Sequence, residues 1–351
     1  MFDSIFGLLS YDLGIDLGTT HVFVLVKGKG IVIREPSVVA RQRKSKQILA
    51  IGTEAKKMLG KTPKTIEALH PLRHGVISDF DATQSMLEYF IKKVHETTGF
   101  IPKVPKPKVV IAVPSGVTEV ERRAVQEAAL SAGARKAYLI EEPMAAAIGV
   151  GLPITEAAGL FICDVGGGTA EIAIISLGGI VLNRSIRLAG DDYDEAIVNY
   201  IRLKYSLTIG LPTAEEIKIS IGGVFHSRSD KGEKQMVIRG LDLESGMPKS
   251  LRVNENEIRE ALSPIANQIV ATISELMEET PPELVSDIMN RGIVLCGGSC
   301  QLVGFDKLVA ETIKMPVWVA DDPQTAVVRG CGKLLENEKL LRQVKVTGGL
   351  R

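Results

Sequence analysis

The sequence has no excess of either charge, few cysteines and no long apolar run. Lys plus Arg and Asp plus Glu both number 42 in 351 residues, so the formal net charge is zero. A nucleic-acid-binding surface normally shows as a basic excess, and this composition offers none. Balanced charge also removes long-range self-repulsion, which permits self-association. The four cysteines, Cys163, Cys296, Cys300 and Cys331, stand in apolar or glycine-rich surroundings. Cys296 and Cys300 are spaced CxxxC with no third and fourth metal ligand nearby, so all four read as small buried thiols in a reducing cytosol. No uninterrupted apolar run reaches the ~18 residues that a membrane span needs. The opening MFDSIFGLLS lacks the basic start and small-residue cleavage site of a secretory signal. The expected location is the cytosol or the cytosolic face of a membrane.

What is present is a chain with 45% apolar residues, enough for a sizeable core, and a length that suits two domains. β-branched runs alternate with helical patterns, which argues for an α/β architecture. One internal similarity organises the whole. Residues 15–32 read IDLGTTHVFVLVKGKGIV and residues 163–181 read CDVGGGTAEIAIISLGGIV. Each has Asp between apolar residues, a Gly/Thr turn, a β-rich run, a glycine-containing hairpin and a closing strand, with one extra residue in the turn of the second copy. The pattern predicts two similar halves whose equivalent turns face each other. PKVVIAVPSGV reads as a buried strand, TEVERRAVQEAALSAGA as a helix opened by a Thr118–Glu121 capping box, and YLIEEPMAAAIGVG as a strand feeding a small-residue helix. Residues 35–76 and 185–249 are more polar and read as insertions on the two halves.

Four stretches carry chemistry. DLGTT, from Asp16 to Thr20, is a hairpin able to aim backbone N–H groups and Thr hydroxyls at a phosphate, although a plain tight turn reads the same way. Its Asp is placed for a hydrated Mg²⁺. DVGGGTAE, from Asp164 to Glu171, carries three consecutive glycines, which usually mark close backbone approach. Two such hairpins in matching places suggest a two-sided phosphate clamp. VLCGGSCQLVGF is a strand entering a glycine turn and then a helix pattern, flat enough to lie against a planar ring or simply a strand–helix connection. In AEEIKISIG, Glu215 and Lys218 at i, i+3 read first as a surface ion pair worth about 0.2–0.5 kcal/mol.

The order DLGTT, EEPMAAAIGVG, DVGGGTAE, GGSCQ, DDPQTAVVRGCG resembles the five-motif pattern of the actin-like ATPase superfamily, and within it the MreB family of bacterial actin homologues. The resemblance covers nearly the whole chain and extends to KGKGIVIREPSVVA, HPLRHGVISDF, TPPELVSDIM and RGIVLCGGS. It implies an α/β actin-like fold of two similar, ribonuclease-H-like halves around a nucleotide cleft. It also implies a division into residues 1–34 with 77–148 and 323–351, an insertion at 35–76, residues 149–184 with 250–322, and an insertion at 185–249. By resemblance, Gly18, Thr19, Thr20 and His21 form the first phosphate loop and Gly166, Gly167, Gly168 and Thr169 the second. Asp16 and Asp164 hold Mg²⁺ through water, while Glu142 and Thr169, with Asp164, serve hydrolysis of ATP to ADP. Glu215 and Lys218 face the adenosine from one wall; Gly297, Gly298, Ser299 and Cys300 face it from the other.

Four positions depart from the family pattern. Ala170 replaces the second Thr of GGGTTE, which puts the turnover rate in question; His21 stands where Asn is common; Ser299 and Cys300 replace a Gly-Ala pair. A neutral His21 is the simpler expectation. Two other users of the fold fit less well. Chaperone ATPases carry a peptide-binding domain after the core, and this sequence stops shortly after DDPQTAVVRGCG; sugar or acetate kinases need a catalytic base for which no acid is left over.

The remaining expectation is a membrane contact. Placed helically, Phe2, Ile5, Phe6 and Leu9 share one face, and Phe100 and Ile101 sit in a Pro- and Lys-flanked loop. Packing on the subunit's own core is the alternative, and the family resemblance favours lipid. Each large apolar side chain contributes at most about 1.5–3 kcal/mol on burial, against about 1 kcal/mol or more for ordering each residue. One subunit then binds weakly, and a filament multiplies the contact. The nearby Lys92, Lys93, Lys103, Lys106 and Lys108 are expected to supply attraction to anionic lipid. The implied partners are the chain itself in double protofilaments, the cytoplasmic membrane and the cell-wall elongation machinery.

Overall fold

A computed structural model describes residues 10–97, 106–225 and 234–346. Its frame is two five-stranded sheets of the same topology. In the first, the strands run in the order Lys136–Glu141, Lys108–Val113, Leu13–Leu17, His21–Val26, Gly30–Pro36. In the second, Val317–Val319, Ile293–Cys296, Leu160–Val165, Ala170–Ser176 and Gly179–Ile186 take the corresponding places. In both, the Asp-bearing strand pairs antiparallel with the next strand in sequence and parallel with a strand from much later. The duplication read from the sequence is thus a duplication of sheet order and direction.

Strand alternation sorts each sheet into two apolar faces. Leu13, Ile15, Val109 and Ile111 pack outward with the helices Phe80–Thr97 and Glu119–Ser131. Phe161, Cys163, Ile172 and Ile174 pack outward with Gly190–Tyr205 and Glu255–Glu278. Between the sheets lies a third core, where Val110 and Ala112 of the first sheet meet Ile162 and Ala173 of the second. It holds the helices Glu142–Val150 and Ala326–Glu336. These two helices touch backbone to backbone. A methyl group on Gly149 would lie 1.8 Å from the Ala326 carbonyl oxygen, and one on Gly330 would lie 1.8 Å from that of Ala145. The small residues of EEPMAAAIGVG and AVVRGCG are what this crossing requires.

Local signals account for several boundaries. Thr118 accepts from the Glu121 N–H while the Glu121 side chain accepts from the Thr118 N–H, so the capping box forms. The helix Glu142–Val150 ends at Gly151 with φ 89°. The glycine turn after Ile293–Cys296 enters a short 3₁₀ turn, Ser299–Gln301, and the regular helix begins only at Phe305, after Gly304 at φ 80°. The more polar stretches form smaller sheets: Ile48–Ile51, Val39–Gln42 and Ile66–Leu69 on the first half, and Leu207–Thr208, Gln235–Asp242 and Pro248–Asn254 on the second. Among the described residues no helix is long and apolar enough to cross a membrane.

Candidate functional site

The same alternation decides what enters the space between the halves. Leu13, Ile15 and Leu17 face the outer core, so Asp16 falls on the inner face. Asp164 shares the inner face of its strand with Leu160 and Ile162. The two Asp residues occupy equivalent ends of equivalent strands on the faces turned toward each other. The turns that follow them are built alike. The Gly18 N–H donates to the His21 carbonyl at 3.1 Å, and the Gly166 N–H to the Thr169 carbonyl at 2.9 Å. Leu17 pairs with Val22 and Val165 with Ala170, so both turns are of equal length. The extra residue of the second copy lies further on: Ala170–Ser176 is longer than Val22–Val26, while its closing turn to Gly179 is shorter than the turn from Val26 to Gly30.

These turns meet across the cleft. A methyl group on Gly167 would lie 2.4 Å from Thr20 Cγ2, and one on Gly168 would lie 2.4 Å from Thr19 Oγ1. Only bare backbone permits that approach. A tight hairpin, Leu72–Arg73 with Val76–Ile77, joins them through the Gly75 N–H, which donates to Thr19 Oγ1 at 3.0 Å. His74 and Gly75 both have positive φ, 46° and 75°. They are absent from the expected site residues, and the one signal was an His-Gly pair between short apolar stretches.

Four carboxyl groups gather behind the turns. Burial, then the neighbouring Asp164 charge, pushes Asp16 up to about 8. Burial raises Asp164 to about 7, opposed by a hydrogen bond with the Cys296 thiol. Glu142 opens the helix Glu142–Val150 and is held well above the carboxylate range by burial, then by the charges of Glu171, Asp164 and Asp16. Glu171 is 1% exposed and is raised by burial to about 7, although Ser185 Oγ at 2.5 Å and the Ser115 N–H at 3.0 Å both donate to it. The motif DVGGGTAE alone assigns it no role; alternation marks it as inward-facing, with Ala173 and Ile175. Ala170 points the other way, into the outer core with Ile172.

The adenosine-side residues form two walls. Glu215 and Lys218, read first as a pair with each other, pair elsewhere. Lys56 reaches Glu215 at 2.8 Å, and Lys218 reaches Asp194 at 2.8 Å and the Gly190 carbonyl at 2.8 Å. Burial works against the Glu215 charge, but Lys56, Lys218 and His21 bring its pKa below the usual value. Opposite, Gly297 at φ 85° leaves no room for a side chain, since a methyl group would lie 2.4 Å from Asp164 Oδ1. Ser299 Oγ donates to the Gly166 carbonyl at 2.7 Å, tying this wall to the second turn. Gly298 is open toward Gln324. The Cys300 side chain is 2% exposed and bonds back to the Gly297 carbonyl, so any share it has in the wall is through backbone. Burial, then Lys56, lowers the His21 pKa, leaving its imidazole neutral at pH 7. All four cysteines are free and buried.

Phe2, Ile5, Phe6, Leu9, Phe100 and Ile101 lie outside the described residues. Their described neighbours converge: Ser10 Oγ is 3.0 Å from His95 Nε2 and accepts from the Lys106 N–H at 3.2 Å. Lys108, expected to face lipid, is instead buried in its strand and paired with Glu338 at 3.0 Å. Lys92 and Lys93 pair with Glu88 and Glu35.

Two halves of one topology, with equivalent turns on facing strand ends, define the actin-like fold. Within that class, the chain belongs to the MreB/Mbl protein family, whose profile matches residues 10–343. It is 48% identical over 334 residues to the cell shape-determining protein MreB of Escherichia coli K12, covering 94% of each chain. It is similar to MreB5 of Spiroplasma citri in crystal structures bound to ADP (TM-score 0.87, 36% identity, 95% and 98% of the two chains) and to AMPPNP (0.87, 37%, 94% and 97%). The MamK double helical filament has the same fold at 22% identity, with TM-score 0.78 over 93% of this chain and 99% of that one.

Proposed function

We propose that the chain is an ATP-dependent, filament-forming cytoskeletal protein on the inner face of the cytoplasmic membrane, organising wall synthesis and rod shape. The observation that carries this reading is Asp16 and Asp164 set against two facing glycine turns between equivalent halves. The relatives add support: one is named a cell shape-determining protein, one holds ADP or AMPPNP, and one forms a double helical filament.

The phosphates of ATP would rest between residues 18–21 and 166–169, with the ribose and base between Glu215 and Lys218 on one side and residues 297–300 on the other. A buried, proton-holding acid pair is what a divalent cation would discharge, and Asp16 with Asp164 fits it. Among the described residues no three His, Cys, Asp or Glu side chains are grouped to ligate a metal, which accords with an ion held through water. Bound Mg²⁺ would neutralise charge on the phosphate oxygens. Glu142 and Thr169 would hold the attacking water in line with the γ-phosphorus. The new P–O bond forms as the bond to the β-phosphate oxygen breaks, the proton lost by the water passes to the phosphate oxygens or solvent, and ADP and inorganic phosphate leave. Slow turnover coupled to polymer dynamics is part of the reading.

The four subdomains are proposed as expected, with the last boundary moved past 249 because the strand Pro248–Asn254 continues the inserted sheet. Residues 1–9 and 98–105 are proposed as the two membrane contacts; their described flanks, Ser10 and Lys106, are hydrogen-bonded to each other. Sedimentation with ATP and Mg²⁺, with and without anionic vesicles, tests the proposal. Polymer should pellet with nucleotide, and Phe2→Ser with Phe6→Ser should reduce vesicle co-pelleting while ATP binding is unchanged. A chain that remains monomeric at high concentration in every condition refutes filament formation.

A further inference from the structure

Lys56 takes no part in the site as read from the motifs, yet it reaches into it from the opposite half. It ends the short helix Thr53–Lys56. That helix is fixed to the first half by Glu35, which accepts from the Thr53 N–H at 2.9 Å and from Thr53 Oγ1 at 2.6 Å. Ala55 is buried beneath it, against Val38 and Ala40. Glu215 stands on Leu211–Ile221, whose Ala214, Ile217 and Ile221 are buried in the outer core of the second half. The Lys56 ammonium lies 2.8 Å from Glu215 Oε2 and 3.0 Å from Oε1, so one cation from one half engages both oxygens of a carboxylate on the other.

Both side chains keep about a third of their surface open, 36% and 29%, so the pair contributes little to holding the halves together. Its consequence is geometric. An unpaired carboxylate on an exposed helix face samples several rotamers, whereas one held at both oxygens presents its remaining lone pairs in fixed directions. His21, the last residue of the first turn, senses both charges, which places the pair at the mouth of that turn.

We propose that Lys56 is a specificity-determining positioning residue: held across the cleft, it fixes Glu215 to accept hydrogen bonds from the ribose hydroxyls, so that discrimination of ATP from 2′-deoxy-ATP depends on the half that does not carry Glu215. The inference rests on the nucleotide-site reading above. A site arranged to accept a hydroxyl loses most when that hydroxyl is missing, and the loss shrinks when the acceptor is no longer held.

Equilibrium titrations with ATP and with 2′-deoxy-ATP, both with Mg²⁺, test it on the full chain and on Lys56→Met, Lys56→Arg and Glu215→Gln. The unaltered chain should prefer ATP. Lys56→Met should weaken ATP about tenfold and 2′-deoxy-ATP much less, so the preference collapses as it does in Glu215→Gln. Lys56→Arg, which keeps a cation able to span both oxygens, should restore it. Equal weakening of both nucleotides by Lys56→Met, or no weakening, overturns the inference and leaves the nucleotide-site reading standing. Failure of the unaltered chain to bind either nucleotide overturns both.

Discussion

Glu142 and Ala170 show how a single residue's direction decides its consequence. Glu142 sits among Glu171, Asp164 and Asp16 at the start of a central helix, whereas Ala170 faces the outer core. Glu142→Gln should therefore leave ATP binding near its original value and slow phosphate release by about 10²-fold or more, read in a single-turnover assay. Ala170→Thr restores the family's usual residue, yet its hydroxyl would enter an apolar core. It should cost roughly 1–3 kcal/mol in denaturant unfolding and leave phosphate release largely unchanged. A rate increase with Ala170→Thr at undiminished stability would contradict this account. The nature of Ala170 was plain in the sequence; its direction became plain once the pairing of Val165 with Ala170 was known. Pairings between distant residues had no sequence signal at all. Lys56 and Glu215 are 159 positions apart, and neither residue type nor spacing links them.

At the scale of elements, the glycine turns and the small-residue helix were legible because each imposes a local demand on residue type. The paired turns, the Thr118 cap and the strand feeding Glu142–Val150 all follow from such demands. The hairpin carrying His74 and Gly75 was not, since two-residue strands are too short to show periodicity. The helix pattern read directly after Gly298 starts later in the structure, at Phe305, because Gly304 at φ 80° resets the backbone first. The crossing of Glu142–Val150 with Ala326–Glu336 supplies a sharp test. Gly149→Ala places a methyl 1.8 Å from the Ala326 carbonyl oxygen, and the helices must separate to admit it. The variant should lose about 3 kcal/mol or more in urea unfolding, whereas Gly298→Ala, whose methyl meets only Gln324 at 3.7 Å, should lose less than about 1 kcal/mol. Comparable losses would mean that the crossing tolerates separation.

For the whole molecule, the acid cluster ties stability to pH in an unusual direction. Asp16, Asp164 and Glu171, raised to about 8, 7 and 7, keep protons in the folded chain that the unfolded chain releases at ordinary carboxylate values near 4. The folded state then binds more protons, so stability falls as pH rises through this range. The lowered pKa values of His21 and His70 act oppositely, but only up to about pH 6.5. Between about pH 6.5 and 8, nucleotide-free protein should lose roughly 1–3 kcal/mol. Mg²⁺ with nucleotide should flatten the slope, as followed by thermal unfolding in a buffer series. A midpoint that rises across that window would show that the carboxyls are already ionised. The junction of Ser10, His95 and Lys106 bears on a different property, the path taken by force. His95 belongs to Phe80–Thr97, which packs on the outer face of the first sheet, and its Nδ1 lies 2.7 Å from the Ile91 carbonyl of the same helix. A load applied through residues 1–9 or 98–105 would enter the first half alone. It would reach the second half through the core between the sheets, where Gly149 and Gly330 bring two helix backbones together.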